Sequence, residues 1–337
     1  MNRGIRNGFF AGIGMLLLIL DSRTAIKAAT EGIELCLHSV IPSIFPFLVL
    51  SGVFTAALSQ SKLRLFAPLG RLLGVPPAGV GIFLTGILGG YPIGAQAVQR
   101  AWKCGVLDTA QAERMLSFCS NAGPAFVFGI LSTQFEHQWM LWLLWLIHIC
   151  AAFLVSAVLP AGIINNNTVL NPTSMSWLQS LRHSVATMGY ICGWILLFRI
   201  ILAFLQRWFM WLLPSEAQVA IFGFLELANG CLQLSQIDSV SLRFVLCSGM
   251  LAFGGICVMM QTASVISGLR LKPYVVGKLL QALFSICLSS FTLGIFFPEH
   301  RNIAAILFLI PVILTVTGSL FFRKRQNNSS IPAQIGV

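Results

Sequence analysis

Long apolar runs alternate with short polar connections along the whole chain. The runs cover 7–20, 34–58, 77–98, 108–131, 138–160, 183–206, 214–237, 241–268, 274–297 and 303–322. Their length predicts helices packed in or through a membrane, and the period-2 alternation of an outer-membrane barrel is absent. Several runs are interrupted where an uninterrupted helix would be expected. The clearest breaks are Gly89-Gly90-Tyr91-Pro92, Ser117 to Pro124, Glu226-Leu227-Ala228-Asn229-Gly230 and Phe253-Gly254-Gly255. Backbone facing lipid cannot be left unpaired, so such breaks are expected to line a cavity enclosed by protein. Matching breaks in two halves of one chain mark a carrier built from repeats.

Composition narrows the class further. The 337 residues are 57% hydrophobic and 9% charged, with mean hydropathy +0.86, whereas soluble domains carry about 25% charged residues. The net charge of +11 does not indicate a nucleic-acid binder. The basic residues gather in short loops and at the ends (Arg3, Arg6, Lys62, Arg64, Arg71, Arg323, Lys324, Arg325), as cytoplasmic loops do. Nine cysteines are scattered without a CxxC pattern and read as small apolar packing residues. The isolated histidines give no metal site, His148 reads as a packing or interfacial residue, and no cofactor site is readable. Residues 8–20, preceded by Arg3 and Arg6, fit either a signal peptide or a short first span, the latter being preferred.

The halves repeat. His38-Ser39-Val40 opens one long apolar element and His183-Ser184-Val185 another. The break at Gly90 is matched at Gly230, and Leu116-Ser117-Phe118 at Leu251-Ala252-Phe253. If 77–98 and 214–237 dip in and return as hairpins, then Arg100, Lys103, Arg114, Arg182, Arg270, Lys272, Lys278 and both termini all fall on the cytoplasmic side. That arrangement fits the positive-inside rule better than full crossings. Each half then crosses an odd number of times, so the second enters inverted. The expected fold is an all-α polytopic membrane protein, an inverted repeat of about eight full spans plus two re-entrant hairpins. The segments are 1–33 as first span and amphipathic lead-in, 34–160 as first repeat, 161–182 as linker, 183–297 as second repeat, and 298–337 as last span and basic tail.

Candidate chemistry lies at the breaks. Glu226 is the acid inside an apolar run, either a proton, ion or substrate contact or a structural group bonded to freed backbone amides. Arg199 is the other costly charge, serving either as a structural partner, with Glu226 as one candidate, or as an attractor of an anionic substrate. Gly89, Gly90, Tyr91, Pro92, Ser117, Ser120, Asn121, Gly123 and Pro124 in the first half, and Asn229, Gly230, Gly254, Gly255 and Gln261 in the second, are candidate substrate-binding positions. Helix ends freed there could hold an anion on backbone amides. A plain kink for the first break, and close packing for the glycine pair, are the alternatives. There is no paired-carboxylate set, GxSxG or phosphate loop, so the chain is not read as an enzyme.

Gly89-Gly90-Tyr91-Pro92-Ile93-Gly94-Ala95, followed by Ala112-Glu113-Arg114-Met115-Leu116-Ser117-Phe118-Cys119-Ser120-Asn121-Ala122-Gly123-Pro124, resembles the YlbJ-type sporulation integral membrane proteins. These are also called stage V sporulation protein V and carry a nucleoside-recognition, or Gate, domain. Glu226 to Gly230, Phe253-Gly254-Gly255, Gln261 and Lys272-Pro273-Tyr274 extend the similarity through the second half. The chain departs from the family at Ser120-Asn121, where two asparagines are frequent, and at Ile256-Cys257-Val258, where the family is more polar. The resemblance implies movement of dipicolinic acid, a small aromatic dianion, across the outer forespore membrane of a sporulating bacterium. Its alternatives are a nucleoside-like or other solute carrier, and a non-transporting scaffold for spore-envelope assembly.

Overall fold

The computed structural model describes residues 3–60, 67–160 and 176–296, together with 309, 312–313 and 316–317. Every regular element among them is helical. The first helix, α1 (Arg3–Leu20), is followed by α2 (Ser22–Leu35), which a π-turn at Cys36–Val40 joins to α3 (Ile41–Gln60). Then come α4 (Ala67–Leu73), α5 (Pro77–Gly89), α6 (Ile93–Lys103) and α7 (Thr109–Leu116). After a non-helical stretch and a π-turn at Ala125–Ile130 follow α8 (Gln138–Val158), α9 (Trp177–Trp208), α10 (Ser215–Leu225) and α11 (Leu227–Leu232). The series closes with α12 (Val240–Phe253), α13 (Gly255–Val265) and α14 (Lys272–Phe296).

Among the described residues, five helical stretches are long and apolar enough to cross a membrane: Ser22–Phe54, Gln138–Val158, Trp177–Trp208, Val240–Val265 and Lys272–Ile295. The chain is an all-α polytopic membrane protein. The short apolar helices do different work. α5 has 13 residues, about 20 Å of rise, well short of the roughly 30 Å hydrocarbon layer. It turns at Gly90 and comes back as α6, and α10 turns at Glu226 into α11 in the same manner. The order of long helix, short helix pair, broken helix, long helix therefore occurs twice: in α2–α8 and in α9–α14.

Some boundaries differ from the sequence reading. The lead-in 24–33 is part of a helix continuous with the second span, because its Ala25, Ala28 and Gly32 face is buried. Gly32 lets α2 approach α9 closely, a Cβ there lying 3.0 Å from Leu196 Cδ1. The run 108–131 is not one element: α7 ends at Leu116 and no helix resumes before Pro124. The second long element of the repeat begins at Trp177 rather than 183, capped by Ser176, which accepts from the Gln179 N–H. Residues 161–175, most of 303–322 and the basic tail lie outside the described residues.

The two largest apolar clusters among the described residues hold the breaks in place. One gathers α5, α6, α7 and α8 with Tyr274 and Phe284 of α14, and the other gathers Tyr91, the π-turn after Pro124, α8, α11 and α12. At one edge the Glu113 carboxylate of α7 is clamped by Arg270, in the loop before α14. It accepts from the Arg270 backbone N–H at 3.0 Å and from the guanidinium at 2.6–3.0 Å. The guanidinium hydrogen bonds hold the Glu113 carboxyl below its usual range, against the upward pull of burial. A carboxylate whose folded pKa is depressed contributes stability that is complete above its unfolded value and fades as pH falls through the folded one. Glu113→Gln is therefore expected to lower the melting temperature of purified protein at neutral pH. The difference from wild type should shrink on acidification.

Candidate functional site

The breaks converge. Gly90, the turn of the α5/α6 pair, packs against Gly123 in the break after α7, where a Cβ on Gly90 would meet the Gly123 nitrogen at 3.0 Å. In the second half Gly254 and Gly255 both have φ +82, a left-handed backbone that ends α12 and restarts the chain as α13. A Cβ on Gly255 would lie 3.1–3.3 Å from the Gly223 and Leu225 carbonyls and the Leu227 nitrogen. The pair thus serves both readings, a break and a close approach to the turn between α10 and α11. Tyr91 links the halves: its ring faces Gly254, and its hydroxyl donates to the Leu251 carbonyl at 2.9 Å.

Between the breaks is a cavity of about 50 Å³, room for several water molecules. Gly89, Gly90, Tyr91, Gly123, Glu226 and Gln261 contribute to its wall, and the remainder is mostly aliphatic or Phe126. An apolar lining with a few convergent polar groups is the usual character of a small-molecule site, but such sites run to about 300–1,000 Å³, so this chamber must widen to admit an organic solute. The other candidate residues stand behind the wall. Pro92 opens α6 and Pro124 starts the next π-turn. Ser117 donates to the Pro273 carbonyl at 2.9 Å. Gly230 packs against Gly223, where a methyl would collide with the backbone.

Glu226 sits at the start of α11 and caps it. Its Oε1 accepts from the Ala228 N–H at 3.0 Å, and its Oε2 accepts from the Asn229 N–H at 2.7 Å and Nδ2 at 2.6 Å. Those are the freed amides of the break, so Asn229 is committed to Glu226 rather than to the chamber. Arg199 is not the partner of Glu226. Its guanidinium pairs with Glu31 on α2, so the charge in α9 is answered by the lead-in helix packed beside it.

The residues that sequence reasoning missed form a buried polar network behind Tyr91. The charge pattern puts Lys278 with the cytoplasmic loops; the structure has it 1% exposed, in the interior and within α14. The reason is that α14 begins at Lys272, so Lys278 lies six residues inside it, roughly 9 Å along the axis. Its Nζ donates to the Ser120 carbonyl at 2.6 Å, to Gln281 Oε1 at 2.6 Å and to the Tyr91 hydroxyl at 3.0 Å. Gln281 Nε2 donates to Asn121 Oδ1 at 2.9 Å and to the His148 carbonyl at 3.2 Å. Asn121 Nδ2 donates to the Phe118 carbonyl at 2.8 Å. His148 is more than packing, because its Nε2 accepts from the Ala122 N–H at 3.0 Å. Side chains of α8 and α14 thus satisfy backbone groups that the α7 break leaves without helical partners. A signal existed: Lys278, Gln281, Ser285 and Ser289 recur at three- and four-residue spacing and mark one polar stripe on an apolar helix.

Fold and site together define a polytopic α-helical membrane protein whose helices are broken around a shared interior chamber. The chain is similar to Sporulation integral membrane protein YlbJ of Bacillus subtilis (strain 168), with 23% identity covering 80% of this chain and 77% of the relative. The resemblance read from its motifs thus extends over most of its length. No family model and no solved structure matches the chain.

Proposed function

We propose that the protein is a carrier of a small organic anion, with dipicolinate the substrate suggested by its resemblance to the YlbJ-type proteins, working by alternating access at the chamber between the breaks. The two element series are then inverted repeats, residues 34–160 and 183–297, with α5/α6 and α10/α11 as hairpins entering from opposite faces. The observation that carries this reading is the meeting of unwound backbone from both halves, Gly90 and Gly123 with Glu226, around one cavity. Broken helices lining a shared cavity satisfy the rule against unpaired backbone in lipid, and a scaffold would gain nothing from them.

The chamber's chemistry suits a flat aromatic anion. Aliphatic walls and Phe126 offer ring-stacking surface. Glu226 facing the same chamber conflicts with a dianion unless it carries a proton or a cation, so we assign it the coupling role, taking up a proton that travels with the substrate. Arg199, tied to Glu31, is a structural charge.

The test is uptake of labelled dipicolinate by the purified protein in proteoliposomes under imposed proton and sodium gradients, with nucleosides as competitors. Saturable uptake driven by the proton gradient and not competed by nucleosides is expected. Uptake of nucleoside alone would transfer the site to that substrate class, and no flux of either would remove the carrier reading.

A further inference from the structure

Lys278 presents a charge that the chamber does not explain. It is buried, it is not part of the cavity wall, and none of the ion pairs among the described residues includes it. An isolated buried charge is strongly destabilising unless its surroundings compensate it. The compensation here is a cage of neutral oxygens. An ammonium has three N–H donors, and the structure supplies an acceptor for each: the Ser120 carbonyl, the Gln281 amide oxygen and the Tyr91 hydroxyl. The Tyr91 ring adds a cation–π face, its centroid 4.8 Å from Nζ. No donor is left over to offer an anionic ligand.

The position of the cage matters as much as its composition. The Ser120 carbonyl lies in the unwound stretch just past the C-terminal end of α7. The Tyr91 hydroxyl, while accepting from Lys278, donates to Leu251 in the last turn of α12, which ends at the Gly254 break. The ammonium therefore sits against unwound backbone beyond α7 and, through Tyr91, against the C-terminal turn of α12. Unwound carbonyls and half-helix C-termini are where carriers with broken helices hold a free coupling cation.

We infer that the cage of Ser120, Gln281 and Tyr91 is a monovalent-cation site, filled by the tethered ammonium of Lys278. The protein accordingly needs no free sodium or potassium ion to hold its breaks together. Shortening Lys278 turns the cage into a site for a small cation from solution. That no free metal cation need travel with the substrate rests on the carrier reading; the existence of the cation site does not.

The test is thermal unfolding of full-length protein in detergent, with choline, sodium or ethylammonium as the chloride salt. Wild type is expected to melt at the same temperature in all three. K278A should melt lower in choline and rise by at least about 3 °C in sodium or ethylammonium. K278M, which fills the space without charge, should gain from neither ion. Stabilisation of wild type by sodium, a gain by K278M, or folded K278A indifferent to both ions would each overturn the inference. If K278A does not survive extraction in choline, its yield in ethylammonium against choline becomes the readout, and no gain overturns the inference. Absence of dipicolinate flux alongside the expected melting pattern would count against the carrier reading alone.

Discussion

Alanine at Gly86 is expected to abolish recovery of folded protein. A methyl group on Gly86 would run into the Cys119 carbonyl, and one on Gly94 into the same carbonyl from the returning helix. The two arms of the α5/α6 pair thus pinch the peptide that begins the unwound stretch after α7. Backbone meets backbone there, so no rotamer change can absorb the clash. Overpacking of a well-filled core costs about 1–3 kcal/mol and more where relaxation is blocked. That is a large part of the roughly 5–15 kcal/mol that holds a domain together. Size-exclusion chromatography of detergent extracts should show G86A lost or aggregated, whereas G129A, where a methyl meets nothing within 4 Å, should elute as wild type. A monodisperse G86A with unchanged melting temperature would contradict the packing described.

The second large effect is expected at Glu226. In Glu226→Ala the Ala228 and Asn229 amides lose their acceptor while buried. Loss of a helix cap costs about 0.5–2 kcal/mol, and each buried group left unsatisfied about 1–3 kcal/mol. Glu226→Gln keeps one acceptor oxygen and the shape but can carry no negative charge. On the proposed mechanism, E226Q, whose NH2 faces an N–H that the carboxylate accepted from, should melt below wild type but above E226A, and per folded protein lose proton-driven accumulation by at least about tenfold, a loss of 1.4 kcal/mol or more in driving interaction. E226A should lose both stability and uptake. Gradient-driven uptake by E226Q at the wild-type rate would leave Glu226 a cap and nothing else.

The breaks were legible because glycine, proline and buried polar residues have few reasons to interrupt an apolar run. Gly89 to Pro92, Ser117 to Pro124, Glu226 to Gly230 and Gly254-Gly255 each fall where a helix ends or restarts. What lies across from each break was not legible, since partners far apart in sequence leave no local trace. Arg199 finds Glu31, and Asn121 finds Gln281, at separations of 168 and 160 residues. Lys278 was hidden for another reason. It follows Arg270 and Lys272 closely, so counting loop charges absorbed it, although its helix had already begun. Hydropathy reads depth poorly near a helix start, where a lysine can belong either to the water or to the interior.

The long helices that open and close the second series also bind it to the first. α9 lies along α2 and α3 of the first series, and α14 along α8 of the first as well as α12 of its own. Neither series completes its own interior: the stretch after Leu116 is stitched by Lys278 and Gln281 from near the far end of the chain. A ribosome must therefore deliver α14 before that earlier stretch can acquire its final partners, and the nascent first series waits in the bilayer with open polar seams until nearly the whole polypeptide has been made.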